Sequence, residues 1–311
     1  MTGPDAEPEP DLPDAPAFRS GIVAVVGRPN VGKSTLVNVM VGQKVAIVSD
    51  KPQTTRRGIR GILTTERFQV VFTDTPGFHK PRTPLGKRLN QVVADSVVDV
   101  DAVIQVVDAA AGVGRGDREV FVRRVQALPA PKLCAVNKTD RLGHHALVPQ
   151  LAKAGELGEF DEIVPVSAAT GRGVDTLLDL VVARLPEGPP LYPTDQATDQ
   201  TLEARIAELI REQALALTRE ELPHSIAVEV EELDVPEDPD EVARIEALVL
   251  VERDSQKGIV IGRGGEMLKT IGTRAREQLE PLLGRRVYLS LRVKVLRDWQ
   301  RDPRALDRLG F

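Results

Sequence analysis

Gly27-Arg-Pro-Asn-Val-Gly32-Lys33-Ser34 decides the fold. The apolar run Ile22 to Val26 precedes it and a helical pattern follows, so its glycines stand at a strand-to-helix turn. Glycines at that spacing let backbone N–H groups close round phosphates, Lys33 reaches the β- and γ-phosphates, and the Ser34 hydroxyl is placed to ligate magnesium. A glycine-rich turn can be merely structural. The full spacing, with Lys-Ser in this context, points instead to a bound nucleoside triphosphate.

Outward from this turn, the same rhythm repeats. The short apolar runs Phe68 to Phe72, Ala102 to Val107, Leu133 to Val136 and Ile163 to Val166 alternate with helical stretches. Such runs bounded by turn signals indicate a mostly parallel sheet covered on both faces, a doubly wound α/β domain over residues 19–186. In Val70-Val-Phe-Thr-Asp74-Thr75-Pro76-Gly77 a carboxylate ends a buried strand, where it can hold magnesium through water, and a glycine N–H can sense a γ-phosphate. Asn137-Lys138-Thr139-Asp140 follows the strand ending at Val136. Its carboxylate can accept both N–H donors of guanine, which adenine cannot present, so the expected ligand is GTP. Ser167-Ala168-Ala169, after the next strand, means nothing alone but resembles the loop whose backbone supports a guanine base in GTPases that carry the preceding motifs.

In this order the motifs resemble those of the translation-factor-related bacterial GTPases, over residues 20–185. The resemblance implies that GTP contacts run from Gly27 through Arg28, Pro29, Asn30 and Val31 to Gly32, Lys33, Ser34 and Thr35, and from Asp74 to Phe78. It also implies that Gln53-Thr54-Thr55-Arg56 is switch I, where a threonine closes over magnesium and the γ-phosphate; Thr55 is favoured over Thr54. Lys33, Thr55, Asp74, Gly77 and Asn30 form the expected catalytic set. Phe78 stands where Ras-like proteins carry a water-orienting glutamine, so hydrolysis must be organised differently. The resemblance implies a potassium ion held partly by Asn30 in that role. His79, next door, is expected to be an exposed switch residue rather than a general base.

Residues 1–18 carry five prolines and five carboxylates and are expected to be a disordered tail. Residues 187–200, opening on Glu-Gly-Pro-Pro190, read as a linker, and residues 201–311 as a second, α+β domain. Its expected order is a helix over Thr201–Thr218, strands near Ser225–Leu233 and Ile245–Glu252, two helices around Gly262–Leu283, and a strand over Val287–Val295. In that strand Val287, Leu289, Leu291, Val293 and Val295 share one face; Tyr288, Ser290, Arg292 and Lys294 share the other.

The net charge of −5 conceals a division. Glu220–Glu252 holds twelve acidic residues against one arginine, whereas Arg253–Arg308 holds fourteen basic against seven acidic. A local positive field can draw polyanions even to an acidic protein. The basic stretch opens around Ile261-Gly262-Arg263-Gly264-Gly265-Glu-Met-Leu-Lys269. A lone Gly-x-x-Gly is usually only a turn; within the order α-β-β-α-α-β it matches a type II KH domain, whose loop admits a nucleic-acid backbone. Arg263 and Lys269 are the candidate phosphate contacts, while Ile259, Ile261, Met267, Leu268 and Ile271 are expected in core and groove wall.

With both domains placed, the chain over residues 20–311 resembles the Era family of GTPases with a C-terminal KH domain. That resemblance implies binding to the 3′ end of 16S rRNA, a role in 30S subunit maturation, and peripheral contact with the inner face of the cell membrane. A cytoplasmic monomer is expected. The rival reading is a membrane-linked signalling GTPase whose KH fold docks proteins. The lone Cys134 lies in an apolar run, which leaves neither a disulfide nor a cysteine metal site and reads as a small buried hydrophobe.

Overall fold

The computed structural model describes residues 17–51, 54–56, 58–77, 83–218 and 222–310, without the side chains of Pro223 and His224. Most of the tail, together with Gln53, Phe78, His79 and Phe311, lies outside the described residues.

The first domain runs β1 (Arg19–Gly27), α1 (Lys33–Val41), β2 (Ile59–Thr64), β3 (Phe68–Asp74), α2 (Pro84–Asp95), β4 (Ala102–Asp108), α3 (Arg115–Val120), β5 (Lys132–Asn137), α4 (His144–Gly155), β6 (Glu162–Pro165) and α5 (Val174–Val182). The sheet order is β2-β3-β1-β4-β5-β6, parallel except for β2 against β3. All seven residues of β4 are buried, because helices cover both faces. That is why these strands are continuous apolar runs rather than alternating ones. β1 lies between β3 and β4, so the loops leaving β1, β3, β5 and β6 gather along one edge of the sheet. In open α/β sheets ligands bind at that carboxyl edge, where the strand order reverses.

The linker is an ordered strap along the sheet edge. Ser20 Oγ donates to the Pro189 carbonyl at 2.7 Å and Ile62 N–H to the Ala197 carbonyl at 2.8 Å. Gln69, fully buried, accepts from the N–H groups of Leu191 and Tyr192 at 2.7 and 2.8 Å and donates to the Tyr192 carbonyl. Prolines that interrupt regular pairing still permit this side-chain tethering.

The second domain runs α6 (Leu202–Leu217), α7 (Leu222–Ser225), β7 (Ala227–Asp234), β8 (Ala243–Val251), α8 (Asp254–Ile261), α9 (Glu266–Leu283), β9 (Val287–Val295) and α10 (Pro303–Arg308). Its sheet, β7-β8-β9, pairs β8 antiparallel to β7 and parallel to β9. Thr201 caps α6 by accepting from Ala204 N–H. Ile206, Ile210, Val249, Val260, Ile271 and Leu279 form the buried centre, and the expected apolar face of β9 packs on it. Ile259 departs from the expectation of a core position: it is 55% exposed, beside the glycine turn, because its helical neighbour Val260 points inward.

The two domains meet over a third apolar cluster, in which Leu85 and Leu89 of α2 pack with Leu248, Leu250, Trp299, Leu306 and Leu309 of the second domain. Among the described residues, no helix is long and apolar enough to cross a membrane.

Candidate functional site

α1 begins at Lys33, so its free N-terminal N–H groups face the cleft beyond the carboxyl edge of the sheet. The cleft, about 350 Å³, is lined by the P-loop, Thr54, Thr55, Gly77, Lys138 and Arg141, and by residues 47–50. Lys33 is buried, and its ammonium donates to the Gly27 and Arg28 carbonyls at 3.3 and 3.1 Å. Burial pushes its pKa down, and the nearby Asp74 charge opposes that shift. An ammonium desolvated in this way gains from an arriving phosphate, which supplies the missing anion.

Three oxygens converge below it. Ser34 Oγ donates to Asp74 Oδ2 at 2.6 Å, Thr55 Oγ1 donates to the same oxygen at 3.2 Å, and the two hydroxyls lie 3.1 Å apart. Asp74 is fully buried, and its Oδ1 has no hydrogen-bond partner. Burial raises its pKa, against the opposing pull of Lys33 and the two hydroxyls. A buried carboxylate with an orphan oxygen beside two hydroxyls is an oxygen-only donor set that suits a hard divalent cation such as magnesium. Thr54 faces elsewhere: its hydroxyl donates to the Lys51 carbonyl at 2.6 Å.

Gly77 lies against the P-loop. A Cβ there would come within 2.7 Å of the Pro29 backbone, so only glycine lets the loop after β3 close on the loop after β1. Thr75, which precedes it with Pro76, donates to the Val25 carbonyl at 2.9 Å and fixes the loop's exit. Asn30, in left-handed backbone at φ 64°, donates from Nδ2 to the Asp50 carbonyl at 2.7 Å, joining the P-loop to the segment ahead of Thr54 and Thr55. The Arg28 side chain turns outward, onto buried Asp117 at 2.7 Å and the Gly112 carbonyl, and so anchors the loop.

Between the P-loop and the loop after β6, Asn137 is a cross-tie. Its Nδ2 donates to the Val31 carbonyl at 2.9 Å, and its Oδ1 accepts from Ala168 N–H at 3.0 Å. Thr139 does the same work toward β6, donating to the Val166 carbonyl at 2.9 Å. Asp140 stands exposed, accepting from Ser167 Oγ at 2.6 Å, and that hydrogen bond is the first cause of its lowered pKa. A carboxylate kept ionised and open can accept two donors from a base. Lys138 reaches across to the Asn30 carbonyl and to Asp108 Oδ2, each at 2.6 Å.

Asp108 was not singled out in the sequence, although its position at the end of β4 repeats that of Asp74 at the end of β3. Arg141 and residues 47–50 of the cleft wall were also missed. Asn38 orders the approach to them by accepting from Val45 and Ala46 N–H, both at 2.9 Å.

In the second domain, Gly262, Gly264 and Gly265 have φ of 74°, 61° and 85° between α8 and α9. A Cβ on Gly262 would meet Met267 at 2.6 Å, whereas beside Gly264 and Gly265 there is open space. Gly262 is therefore required by packing, and the next two glycines leave an unobstructed backbone ridge flanked by exposed Arg263 and Lys269. Ile261, Met267 and Leu268 are half-buried along it.

The family models agree with this division. A 50S ribosome-binding GTPase model matches residues 22–138, and a KH-domain model matches residues 221–300. GTPase Era of Mycolicibacterium paratuberculosis is 52% identical over 296 residues, covering 94% of this chain and 99% of that protein. This chain belongs to the Era family. GTPase Era of Mycobacterium tuberculosis is 50% identical over 297 residues. Two solved Era structures superpose with a TM-score of 0.90 at 39% identity, covering 94% of this chain. One is in complex with MgGDPNP and nucleotides 1506–1542 of 16S ribosomal RNA; the other is a point variant of Aquifex aeolicus Era bound to GDP·AlF4−. The Era-family G domain and KH domain are thus both present here, in one chain and in the same arrangement.

Proposed function

We propose that this chain is a GTP-driven switch that binds the 3′ end of 16S rRNA through its KH domain and assists maturation of the 30S subunit. The observation that carries the reading is the match, at TM-score 0.90 over both domains, to the Era held with MgGDPNP and 16S rRNA nucleotides at once.

In this reading Ser34, Thr55 and Asp74 hold magnesium, which supplies positive charge to the phosphates. Lys33 leaves its loop carbonyls for the β- and γ-phosphates, and the Gly77 N–H meets the γ-phosphate. Asp140 takes the guanine N–H donors while the Ser167–Ala169 loop backs the base. With no glutamine after Gly77, Asn30 would supply a ligand to potassium, whose positive charge would assist hydrolysis. The open Gly262–Gly265 ridge admits the RNA backbone, with Arg263 and Lys269 on its phosphates. Peripheral membrane contact, the cytoplasmic location and a monomeric state belong to the same proposal through the family resemblance.

The test is binding of a short RNA matching the 16S 3′ end, with a GTP analogue, with GDP and without nucleotide, at two salt concentrations. Tighter, salt-sensitive binding in the GTP-like state is expected. Absent binding in every state would turn the KH domain into a protein-docking module and leave the GTPase alone standing.

A further inference from the structure

The segment that carries Thr55 is gripped by the other domain. Upstream, Glu212 of α6 accepts from Val48 N–H at 2.8 Å and from the Lys44 ammonium, which also donates to Gln278 of α9 at 2.7 Å. Immediately before Thr55, Arg211 of α6 donates from Nη2 to the Thr54 carbonyl. Immediately after it, Arg56 enters the second domain, donating to the Ile226 carbonyl at 2.6 Å and lying 5.5 Å from the Trp299 ring centroid. Thr55 itself holds the Asp74 carboxylate. Both of its neighbours are therefore fixed by residues of the second domain, at a distance in sequence of more than 150 positions.

These contacts are costly to arrange for packing alone. Arg211 and Arg56 are only 1% and 2% exposed, and two buried guanidinium groups repel one another. Glu208 offsets Arg211 with two hydrogen bonds of 2.8 and 2.6 Å. A pair of apolar side chains would fill such an interface at less expense, but neither could hold a backbone carbonyl at a set position.

We propose that Arg211, on α6 of the second domain, is a positioning residue for GTP hydrolysis: its hydrogen bond to the Thr54 carbonyl sets the place of Thr55 at the magnesium site. The inference rests on the reading of Thr55 as a magnesium ligand, and it is independent of which RNA the KH domain holds. α9 begins at the Gly262–Gly265 turn, packs against α6 and shares the grip on Lys44. The same contacts therefore give the nucleic-acid ridge a mechanical route to switch I.

The test uses the full chain in the variants Arg211→Met and Arg211→Lys, with hydrolysis measured in the absence of RNA and binding of the short RNA measured separately. Methionine removes the donor while keeping most of the length; lysine keeps a donor that can reach the carbonyl. Arg211→Met should lower kcat by roughly ten- to a hundredfold, the range expected when a reacting geometry is displaced by about an ångström. GDP affinity should change less than twofold, because GDP presents no γ-phosphate for Thr55 to close over. Arg211→Lys should retain more of kcat than Arg211→Met. Trp299, the only tryptophan in the chain and fully buried at the boundary, reports by its emission whether the domains remain docked. A kcat within twofold of the unaltered chain in both variants, or a parallel loss of GDP affinity, overturns the proposal. So does an equal loss of kcat in the two variants. If the variants bind the short RNA normally and hydrolyse GTP normally, the proposal for Arg211 fails alone. If the unaltered chain binds no RNA while Arg211→Met loses only kcat, the RNA reading fails alone.

Discussion

Arg88 of α2 and Asp307 of α10 face each other across the domain boundary with a nitrogen-to-oxygen distance of 2.7 Å, beside the apolar cluster that takes in their sequence neighbours Leu89 and Leu306. The two relationships are energetically unequal. Asp307 is 68% exposed at its side chain, and such pairs contribute about 0–1 kcal/mol. Leu89 and Leu306 are buried, and truncating either removes apolar contact and leaves a cavity. Leu306→Ala should therefore destabilise the docked protein by about 2–5 kcal/mol. Asp307→Ala, which removes only the exposed partner of the pair, should cost less than about 1 kcal/mol, an amount that shrinks in high salt. Calorimetric unfolding of the two variants checks the contrast.

Magnesium affinity should fall with pH sooner than at an exposed aspartate. Asp74 must be ionised to hold the cation, and burial raises its pKa above the ordinary value near 4. A carboxyl raised in this way binds its proton more tightly folded than unfolded. Its contribution to stability is fullest at low pH and is lost as pH rises through the folded value. Metal offsets that loss only where the carboxylate is charged. The rise in Tm on adding magnesium should therefore be largest at neutral pH and shrink as the pH drops through the raised pKa; a shift that stays constant down to the ordinary aspartate range would contradict it.

Much of this was legible in the sequence, for a local reason. The P-loop, Asp74–Gly77 and Asn137–Asp140 each follow an apolar strand, and each carries its chemistry within a few residues, so spacing alone brings the groups to one edge of the sheet. β9 was legible residue by residue because one of its faces is apolar throughout. What escaped was non-local. Nothing near Arg211 or Glu212 signals the segment over residues 48–55, more than 150 residues away; on its own helix Arg211 looks like an ordinary partner for Glu208 at i−3. β2 was missed because it is a short edge strand, and Ile59-Arg-Gly-Ile-Leu-Thr holds a glycine that weakens its pattern. The linker's prolines announced irregular chain, but only the structure reveals that buried Gln69 tethers it.

Gly77→Ala separates contact from charge. The new methyl would lie 2.7 Å from backbone atoms of Pro29, which cannot swing aside as a side-chain end could. The loops after β1 and β3 must then part, and the Gly77 N–H, which we propose meets the γ-phosphate, moves with them. We expect kcat to fall by roughly a hundredfold, with guanine selectivity retained, since the Asp140 end of the cleft is untouched. Single-turnover hydrolysis, with binding of GTP and ATP analogues measured alongside, tests both halves.

Gly264→Asp should abolish RNA binding without unfolding the domain. No atom lies within 4 Å of the position a Cβ would take, and aspartate accepts left-handed backbone better than most side chains. The charge nevertheless stands where an RNA phosphate would approach, between Arg263 and Lys269. Gly262→Ala should behave differently, because its methyl would meet Met267 at 2.6 Å and disturb the packing of α9. Thermal unfolding and RNA titration together distinguish the two: the first variant keeps its Tm and loses RNA, the second loses both.

Asp140→Asn should exchange guanine for xanthine. The carboxylate is exposed, ionised and oriented by Ser167 at 2.6 Å, so it offers only acceptors to the base. Guanine presents two N–H donors at that edge and matches it. An asparagine amide offers one acceptor and two donors, which leaves one guanine donor facing another donor. Xanthine has an N–H beside a carbonyl at the same edge and pairs with the amide in both directions. Because Asn137 and Thr139 hold the loop from below, the substitution should leave the backbone in place. The cost of an unpaired donor in a buried contact is about 1–3 kcal/mol, or roughly ten- to a hundredfold in affinity. Asp140→Asn should therefore lose GTP affinity by about that factor and hydrolyse XTP in its place. Equal loss of both nucleotides would mean that Asp140 holds the loop rather than reads the base.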